Sequence, residues 1–583
     1  MCGIIGSNRI PHNPEVLLER LYHRGPDYQG FVFAEGNFFG HTRLAIIDLD
    51  SEANQPMQLD GLTLIFNGEV YNYEVLKQQE GLCCTTRSDT EVILRMYQKY
   101  GVECVNYLEG MFSFALYDAH EKRWFCARDR FGKKPFYYRL KEGFFSFSSE
   151  LKGVLGQLSS LPPLNTQAVW EYLAFQSPLG KNTFFQDVFK LPAGYYFTLD
   201  SFGLSLKNYY DINNLPIIHT DEVKIITDID SLLLQAVQSR LVGDVDVASL
   251  LSGGLDSSLV SALYTRHSGR QIHTFSIGYD EHTHYCELEY ARDAAKYIGS
   301  EHHELCIERN QYLDAMNDIL DHLDEPMSDS AAIPTYLISQ LVHENGFKVC
   351  LSGEGADENF LGYNHYEPIF STMQREPQNP GDFLLTKEWE YTRRLFDGEQ
   401  VYRSAGETFT QHQLTLLQAQ KYPPVWSDFS SEYQGVQWLT YIDFKIWISE
   451  VLMSKVDRMS MAHSVEIRAP FLDKTLVEYM MGVDPAIKRG TMTKEILKNV
   501  AKSYLPDSII HRPKKGFSSP YIEWLYEGYG DQIESTILDA NKDLGIFDKK
   551  FVHFLVNEGK KGRFKQHVYA LYLFAKWYLK VYR

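Results

Sequence analysis

The stretch Leu-Leu-Ser-Gly-Gly-Leu-Asp-Ser-Ser at residues 250–258 decides the fold of the second half of this chain. The mostly apolar run from Val245 to Leu251 predicts a buried parallel strand, and Leu259 to Leu263 begins an amphipathic helix. A strand, a glycine turn and a helix N-terminus together form an anion site, because free backbone N–H groups and the helix dipole favour negative charge.

This stretch differs from the Gly-x4-Gly-Lys-Ser/Thr phosphate loop, because no lysine follows its glycines. Asp256 lies in the loop instead, where its carboxylate would repel a phosphate unless a cation such as Mg²⁺ lay between them. The alternative is an ordinary glycine turn between a strand and a helix. We interpret the stretch as a phosphate site that works with a metal ion.

Bulk properties limit the partners of the chain. Its 583 residues exceed what one hydrophobic core holds, so two or more domains are expected. A net charge of −19 argues against nucleic acid or an anionic membrane as the main partner. The sequence shows neither an apolar run long enough for a transmembrane helix nor a secretory signal at its start. The 8 cysteines lack CxxC spacing, which suits a reducing compartment, and we predict a cytoplasmic location.

Strands and helices alternate after the opening stretch. Apolar strands are predicted at Thr274–Gly278, around His302–Cys306 and at Lys348–Leu351, with a helix at Glu287–Ile298 between the first two. This alternation favours an α/β doubly wound parallel sheet, which binds its ligands at the carboxyl ends of the strands.

An acidic loop follows the strand at 348–351, with the sequence Ser-Gly-Glu-Gly-Ala-Asp-Glu at 352–358. Asp357 together with Asp256 could hold Mg²⁺ on the phosphates of ATP. Glu354 is then a candidate for positioning or proton transfer at an acyl carbon. The basic cluster at 511–517, which contains Lys514, suits a loop that holds pyrophosphate, although a solvated basic loop is the alternative.

The first 150 residues contain short apolar strands broken by Gly, Asn and Asp, which an α+β sandwich would accommodate. A helix is predicted at Asp89–Tyr100, with Ser88 as its N-cap. A polar segment at 208–223 suits a linker, and a helix is predicted at 225–242. We therefore predict two domains, residues 1–210 and 211–583.

Cys2 is the candidate nucleophile of the first domain. Removal of Met1 would leave a thiol and a free α-amine on one residue, with ordinary pKa values near ~8.5 and ~8. The amine can then act as general base for its own thiol. Arg43 and Asp89 could hold the α-carboxylate and α-ammonium of glutamine, while the Asn67 side chain and Gly68 N–H could form an oxyanion hole. Each of these polar stretches alone is more typical of a turn or a surface ion pair.

The first domain resembles the glutaminase domain of glutamine-dependent asparagine synthetases, which has the four-layer α+β sandwich of N-terminal-nucleophile enzymes. The shared motifs are Cys2, His-Arg-Gly-Pro-Asp at 23–27, Arg-Leu-Ala-Ile-Ile-Asp at 43–48, Asn-Gly-Glu-Val-Tyr-Asn-Tyr at 67–73, Ser-Asp-Thr-Glu at 88–91 and Arg-Asp-Arg-Phe-Gly at 128–132. The resemblance implies that Cys2 is the nucleophile and that Asn67 and Gly68 form the oxyanion hole. It implies that glutamine is bound by Arg43, Asn67, Gly68, Glu69 and Asp89. The chain departs from the family at Lys133, for which we expect a surface position.

The second domain resembles the synthetase domain of the same family and the related β-lactam synthetases, with an ATP-pyrophosphatase signature at 252–257. The resemblance implies that Asp256 and Asp357 bind Mg²⁺. It also implies that Glu354 helps an adenylated intermediate react with ammonia and that Lys514 stabilises the breakdown of this intermediate. The residues that it implies for ATP binding are Leu251, Ser252, Gly254, Asp256, Ser257, Ile277, Ser352 and Gly353.

The implied reaction is the ATP-dependent amidation of a carboxylate through an acyl-adenylate, with ammonia from glutamine, and aspartate is the favoured acceptor. Gly-Tyr-Asn-His-Tyr at 362–366 resembles family members proposed to amidate sugar acids, so another carboxylate is the alternative. A chain that only hydrolyses glutamine, or that serves as a binding module, is disfavoured because Cys2, Asp256, Glu354 and Asp357 are all present. The family also implies a homodimer and an internal passage for ammonia.

Overall fold

The computed structural model describes residues 1–363, 366, 383–399, 406–418, 429, 431–513 and 519–583. Lys514 and the Asn-His pair at 364–365 lie outside the described residues.

The first half of the chain contains two six-stranded antiparallel sheets within the described residues. One sheet has the order β10-β8-β9-β1-β3-β2 and the other β12-β11-β7-β6-β5-β4, with the strands β1 Gly3–Ser7, β2 Tyr28–Ala34, β3 Asn37–Arg43, β4 Met57–Leu59, β5 Leu62–Val70, β6 Gly110–Asp118, β7 Arg123–Arg128, β8 Tyr137–Lys141, β9 Phe144–Ser148, β10 Phe189–Lys190, β11 Tyr195–Asp200 and β12 Gly203–Asn208. The helices are α1 Pro14–Glu19, α2 Tyr73–Glu80, α3 Asp89–Tyr100, α4 Leu151–Leu155 and α5 Thr166–Phe175.

Hydrophobic contacts divide this half into four layers. An aromatic core, which includes Phe39, Trp124 and Phe147, fills the space between the two sheets. On the outside, α1 packs on one sheet through Leu17 and Leu18, and α3 packs on the other. The four-layer α+β sandwich predicted from the sequence is confirmed, and the Ser88 side chain caps α3 by accepting a hydrogen bond from Thr90 N at 3.1 Å.

A parallel sheet organises the second half. Its order is β15-β14-β13-β16-β17, with β13 Val247–Leu250, β14 His273–Tyr279, β15 Glu301–Ile307, β16 Val349–Leu351 and β17 Glu466–Arg468. The chain builds outward from β13 to β15 and then returns to place β16 on the other side of β13. Ligands bind beside such a reversal of strand order, at the carboxyl ends of the strands. The loops after β13 and β16 start at this point and lead into the helices Leu255–Ser268 and Ala356–Phe360, whose first turns carry Asp256 and Asp357.

Helices cover both faces of the parallel sheet, as the predicted doubly wound architecture requires. They are α6 Glu222–Ser239, α7 Leu255–Ser268, α8 Leu288–Ile298, α9 Arg309–Leu323, α10 Ala332–Glu344 and α11 Ala356–Phe360, followed by Lys387–Phe396, Gln411–Leu416, Gly435–Ile442, a π-helical segment Asp443–Leu452, Met453–Met461, Lys474–Met481, Pro485–Arg489, Glu495–Ala501, Asp507–Ile510, Tyr521–Leu544, Lys549–Lys560 and Lys565–Tyr582. None of the helices in the described ranges combines the length and the apolar character needed to cross a bilayer.

Charged side chains join the two halves at a buried interface. Asp457 accepts hydrogen bonds from Arg24 at 2.9 Å and from Lys134 at 3.1 Å. The expected surface position of Lys133 is wrong, because this residue is buried and its ammonium donates to the carbonyl oxygen of Leu472 at 2.8 Å. Its partner lies more than 300 residues away in the chain, so local sequence carried no sign of the contact.

Candidate active sites in the two halves of the chain

Cys2 lies directly before β1 and is buried between the sheets and the second half. Its backbone N–H donates to Asn67 Oδ1 at 3.1 Å, and its carbonyl oxygen accepts from Arg24 Nε at 3.1 Å. Burial raises the pKa of the Cys2 thiol, although the nearby N-terminal charge acts in the opposite direction. The thiol therefore needs a base to become a nucleophile, and the α-amine that loss of Met1 would release belongs to the same residue.

Asn67 and Gly68 lie side by side on β5. The Nδ2 atom of Asn67 is buried and has no hydrogen-bond partner among the described residues. Such an orphaned donor costs free energy, so its presence beside Cys2 is informative. Gly68 has φ of +151°, and a Cβ atom there would lie 2.1 Å from the carbonyl oxygen of Met111. Only glycine fits at this position.

Met1 fills a buried space beside Cys2 that is lined by acidic residues. Its ammonium nitrogen lies 3.3 Å from Glu466 Oε2. Burial, together with Glu466 and Asp89, raises the pKa of Glu69 well above its ordinary value. Burial also raises the pKa of Asp89 to about 6, although Val70 N donates to Asp89 Oδ2 at 2.9 Å. Arg468 also faces Glu69 and Glu466, so loss of Met1 would leave a space with three carboxyl groups and one guanidinium, in which a ligand's ammonium group could replace that of Met1.

Arg43 is buried at the edge of this region. Its guanidinium donates to Asn54 Oδ1 at 2.6 Å, to the Asp50 carbonyl at 3.0 Å and to the Ile47 and Asp48 carbonyls. In this structure Arg43 therefore organises the loop at 47–54. Its predicted contact with a glutamine carboxylate stays a prediction.

A cavity of about 650 Å³ opens at the carboxyl ends of β13, β14 and β16. The structure brings into its wall all the residues assigned to ATP, which are Leu251, Ser252, Gly254, Asp256, Ser257, Ile277, Ser352 and Gly353. Glu354 and Asp357 also line it, and so does Asp329. The volume falls in the range of small-molecule sites, roughly 300–1,000 Å³.

The loop after β13 has the shape of an anion cradle. Gly253 has φ of +71°, and a Cβ atom there would lie 2.4 Å from the backbone of Tyr290. The Ser257 hydroxyl lies 3.1 Å from both the Ser252 backbone nitrogen and its hydroxyl. Gly254 caps α7, whose first turn therefore points its N–H groups and its positive dipole end into the cavity.

Asp256 and Asp357 converge on one cation. The Lys494 ammonium nitrogen lies 2.6 Å from Asp256 Oδ2 and 2.5 Å from Asp357 Oδ1. Burial lowers the pKa of Lys494, but the two carboxylates more than offset this and raise it overall. Gly362 makes room for the trio, because a Cβ atom there would lie 1.9 Å from Asp357 Oδ1.

Glu354 is half-buried in the cavity wall. Burial raises its pKa, Lys455 opposes the shift, and the carboxylates of Asp329, Asp357 and Asp256 add to it. Lys455 also lies 3.0 Å from Asp329 Oδ2. A carboxyl whose pKa is raised and which lies near a lysine can take part in proton transfer.

Sequence reasoning missed three lysines of this cavity, which are Lys455, Lys494 and Lys498. Lys494 lies in Thr-Lys-Glu-Ile-Leu-Lys, and only the excess of carboxylates at the predicted metal site could have suggested that a cation was needed there. Lys455 also lies in the cavity wall, where its ammonium pairs with Asp329. Arg512, from the basic cluster, donates to the Ser252 carbonyl at 3.1 Å.

Comparisons with known proteins identify the family of the chain. The family model described as asparagine synthase matches residues 228–579, and the model of a glutamine amidotransferase domain matches residues 1–210. The chain belongs to the asparagine synthase family. It is therefore a glutamine-dependent amide ligase of the asparagine synthetase type, and membership of the family implies that it uses ATP.

Similar proteins extend over nearly the whole chain. Asparagine synthetase [glutamine-hydrolyzing] 1 of Bacillus subtilis is 29% identical over 615 residues, which covers 99% of this chain and 96% of that protein. Asparagine synthetase [glutamine-hydrolyzing] 3 of the same organism is 29% identical and covers 93% of this chain and 92% of that protein. A protein named amidase chry2 from Gibberella zeae is 26% identical and covers 93% and 90%. Relatives that cover this chain to a similar extent are thus named either asparagine synthetase or amidase.

Proposed function

We propose that the chain transfers ammonia from glutamine to the side-chain carboxylate of aspartate, with conversion of ATP to AMP and pyrophosphate. In this proposal residues 1–210 hydrolyse glutamine and residues 211–583 activate the acceptor. The observation that carries it is the cavity at the carboxyl ends of β13 and β16, where the predicted nucleotide residues and two convergent carboxylates meet. A homodimer and a cytoplasmic location stay predictions from the sequence.

Glutamine hydrolysis is proposed to start at Cys2 after removal of Met1. The α-amine takes the thiol proton, the sulfur attacks the side-chain amide carbon, and ammonia leaves as a thioester forms. The buried Asn67 Nδ2 and the Gly68 N–H would stabilise the oxyanion. Water then hydrolyses the thioester to glutamate. Asp89 and Glu69 would hold the substrate ammonium in the space that Met1 fills, and Arg43 its carboxylate.

Acceptor activation is proposed to occur in the second half of the chain, at the cavity of about 650 Å³. A carboxylate oxygen attacks the α-phosphorus of ATP, the bond to the bridging oxygen breaks, and pyrophosphate leaves. The loop at 252–257 and the Lys494 ammonium would hold the departing pyrophosphate. Ammonia then attacks the acyl carbon, AMP leaves, and Glu354 would take up the proton released by the ammonia nitrogen. Lys514 would stabilise this breakdown.

The donor set at Asp256 and Asp357 fits Mg²⁺. Both are carboxylates, the ligand type that this ion prefers, and both already share one positive charge on Lys494. Mg²⁺ bound there would neutralise charge on the phosphates of ATP.

The test is to incubate the protein with glutamine, Mg-ATP and aspartate and to follow glutamate, pyrophosphate, AMP and asparagine. Asparagine that forms in step with AMP and pyrophosphate supports the proposal. A Cys2→Ala variant should lose synthesis with glutamine and keep synthesis with ammonia. Glutamate release without aspartate-dependent pyrophosphate would eliminate aspartate as the acceptor.

A second cavity favours a second candidate, an acceptor carboxylate larger than aspartate. This cavity of about 280 Å³ shares Asp329 and Trp447 with the first one. Its lining residues are Gln176, Asp329, Ser330, Lys387, Glu407, Thr408, Trp447, Gln566 and His567. An acceptor whose carboxylate reached the α-phosphate could extend its other end here.

His567 is one of the residues that line this second cavity. Its Nε2 lies 2.8 Å from Gln413 Oε1, which also accepts from Thr410 N, so Nε2 is the protonated nitrogen. Burial lowers the pKa of His567 to about 3, so the ring is neutral. Its Nδ1 is buried and has no hydrogen-bond partner in the part of the chain that the structure describes. A hydroxyl or ammonium group of an acceptor would satisfy it.

Acceptor competition distinguishes the two candidates. Aspartate and a panel of hexuronic and amino-sugar acids are compared by the rate of pyrophosphate release in the presence of glutamine. The second candidate predicts a larger kcat/KM for one of the panel, reduced by His567→Ala but not by His553→Ala, which alters an exposed histidine. The first predicts the largest value for aspartate.

A further inference from the structure

Two histidines and a glutamate lie together on neighbouring strands of the parallel sheet, away from both proposed sites. His273 on β14 is paired in register with Glu301 on β15, and Phe275 with His303. Residues paired side by side in a sheet point to the same face, and so do alternate residues of one strand. His273, Glu301 and His303 therefore share one face, at the end of the strands opposite to the nucleotide loops.

The distances between these side chains match those of metal ligands. His273 Nδ1 lies 3.2 Å from His303 Nε2, and Glu301 Oε1 lies 3.8 Å from the same His303 nitrogen. One potential ligand atom from each residue falls within 4.8 Å of the others. Two Zn–N bonds of about 2.0–2.1 Å at a tetrahedral angle separate their nitrogens by about 3.3 Å. The two imidazoles are thus already spaced for one ion.

We propose that His273, Glu301 and His303 bind a divalent transition-metal ion of the Zn²⁺ type, with water as the fourth ligand. Imidazole nitrogens favour Zn²⁺, Cu²⁺ and Ni²⁺, whereas Mg²⁺ prefers sites made of oxygen ligands alone. Without metal, the short contact between the rings is a hydrogen bond from one N–H to the other lone pair. Metal binding would break this hydrogen bond, and the N–H proton would move to the other nitrogen of its own ring, so that both facing nitrogens could bind the ion.

Aromatic neighbours hold both imidazoles in place. The ring of Phe275 stacks on His303, with 4.7 Å between centroids and an interplanar angle of 14°. The ring of Phe347 lies 4.8 Å from that of His273. A ligand set held in this way loses little conformational freedom when the ion binds. The Glu301 side chain is 56% exposed, which leaves an open route for the metal.

The proposed metal would act as a structural clamp. The strand β15 is at the edge of the sheet, and the ion would join it to β14. Ile277, which lines the nucleotide cavity, lies four residues further along β14, or about 13 Å at about 3.3 Å per residue. This separation is too large for a metal ligand to touch ATP. The expected effect of the metal is therefore on stability, with Tm raised rather than the chemistry changed.

Metal titration of the full-length protein tests the proposal. Chelator-treated protein is titrated with Zn²⁺ by calorimetry and with Co²⁺ by visible absorbance, without ATP. We expect one equivalent to disappear in His273→Ala and in His303→Ala, and the tetrahedral Co²⁺ bands to disappear with it. His302→Ala is the matched control, because this residue lies on the same strand but points to the opposite face.

Other carboxylates and imidazoles could also take up metal in the titration, so the comparison between wild type and variants is what tests the proposal. The carboxylates of Asp256 and Asp357, and the single imidazole in the cluster Glu281, His282 and Glu527, are unchanged in all these variants. Equal stoichiometry in wild type, His273→Ala and His303→Ala would overturn the proposal. So would the absence of tetrahedral Co²⁺ bands in the wild-type protein, a result that does not depend on how any variant folds.

Discussion

The guanidinium of Arg24 lies 2.9 Å from a carboxylate oxygen of Asp457, a residue 433 positions later in the chain. Both side chains are almost completely buried, with 0% and 2% exposure. Arg24 also bonds to Glu150 at 2.9 Å and to the carbonyl of Cys2, so one guanidinium links the candidate nucleophile to the second half of the chain. The interface between the two halves thus contains buried charged groups that neutralise one another.

Asp457→Asn should destabilise the protein by about 3–5 kcal/mol, because it leaves Arg24 and Lys134 with less negative charge in a buried place. The measurement is chemical unfolding, combined with the ratio of glutamate to AMP produced. We expect this ratio to rise as the two halves lose their fixed arrangement.

An exposed ion pair provides the control for this prediction. Asp187→Asn removes the partner of Lys141, at 2.7 Å on the surface of the first half. Its cost should be about 0–1 kcal/mol. Adding Arg24→Gln to Asp457→Asn should cost less than the sum of the two single changes, and strict additivity would contradict the coupling.

Asn67→Ala should lower kcat of glutamine hydrolysis by about 10²–10³-fold, because it removes one donor from the proposed oxyanion hole. Synthesis with ammonia should not change, since the second half is untouched. Asn72→Ala, in the turn after β5, is the matched control, because the Asn72 side chain donates to the Tyr107 carbonyl and accepts from Glu109 N rather than facing Cys2. Equal glutaminase rates in the two variants would remove Asn67 from the mechanism.

Lys494→Met should lower kcat/KM for ATP by about 10²-fold or more. The two neighbouring carboxylates would lose the cation that they share, and the phosphates of ATP would lose one of their proposed ligands. Pyrophosphate release is the measurement, and glutamine hydrolysis should persist. Lys494→Arg should restore part of the activity. Lys502 is exposed and follows the helix Glu495–Ala501, which begins after Lys494. Lys502→Met should leave the kinetics with ATP unchanged, so a similar loss in this variant would indicate a general effect on folding.

Glutamine binding should strengthen as pH rises through about 6. A substrate ammonium binds the ionised form of Asp89, and burial raises the pKa of this carboxyl to about 6. Below that value each unit of pH should therefore cost about tenfold in affinity. Because Asp89 and Glu69 influence each other, the apparent pKa belongs to the group.

Calorimetry of the Cys2→Ala variant from pH 5 to 8 measures this binding without hydrolysis. Asp89→Asn should bind glutamine weakly at every pH, with a flatter profile. A profile that does not change in Asp89→Asn would assign the titration to another group.

Sequence patterns predicted the chemistry-bearing loops better than the contacts between halves. The loop at 252–258 and the acidic loop at 352–358 each carry their own local signal, namely glycines after an apolar strand with carboxylates at fixed offsets. The order of the strands then brings Asp256 and Asp357 together. Lys494 and Asp457 carry no comparable local signal, because their roles depend on partners hundreds of residues away.

Lys133 shows the same limit most clearly. A lysine in Gly-Lys-Lys-Pro suggests an exposed turn, yet its side chain is buried against the second half. Burial, together with the charge of Arg240, lowers the pKa of Lys133 to about 7, although Asp129 and Asp473 act in the opposite direction. In the unfolded chain the ordinary pKa of a lysine is near ~10.4.

Stability should therefore rise with pH between about 7 and 10, because in that range the unfolded chain binds one more proton at Lys133 than the folded protein. The slope from this residue is about 1.4 kcal/mol per pH unit. Lys133→Met should remove this pH dependence. It should raise Tm more at pH 7.5 than at pH 9, because burial of the amine costs the wild-type protein more stability at the lower pH. Lys550→Met, on an exposed part of a helix, should show no such difference, and parallel Tm curves for wild type and Lys133→Met would show that Lys133 keeps its proton when buried.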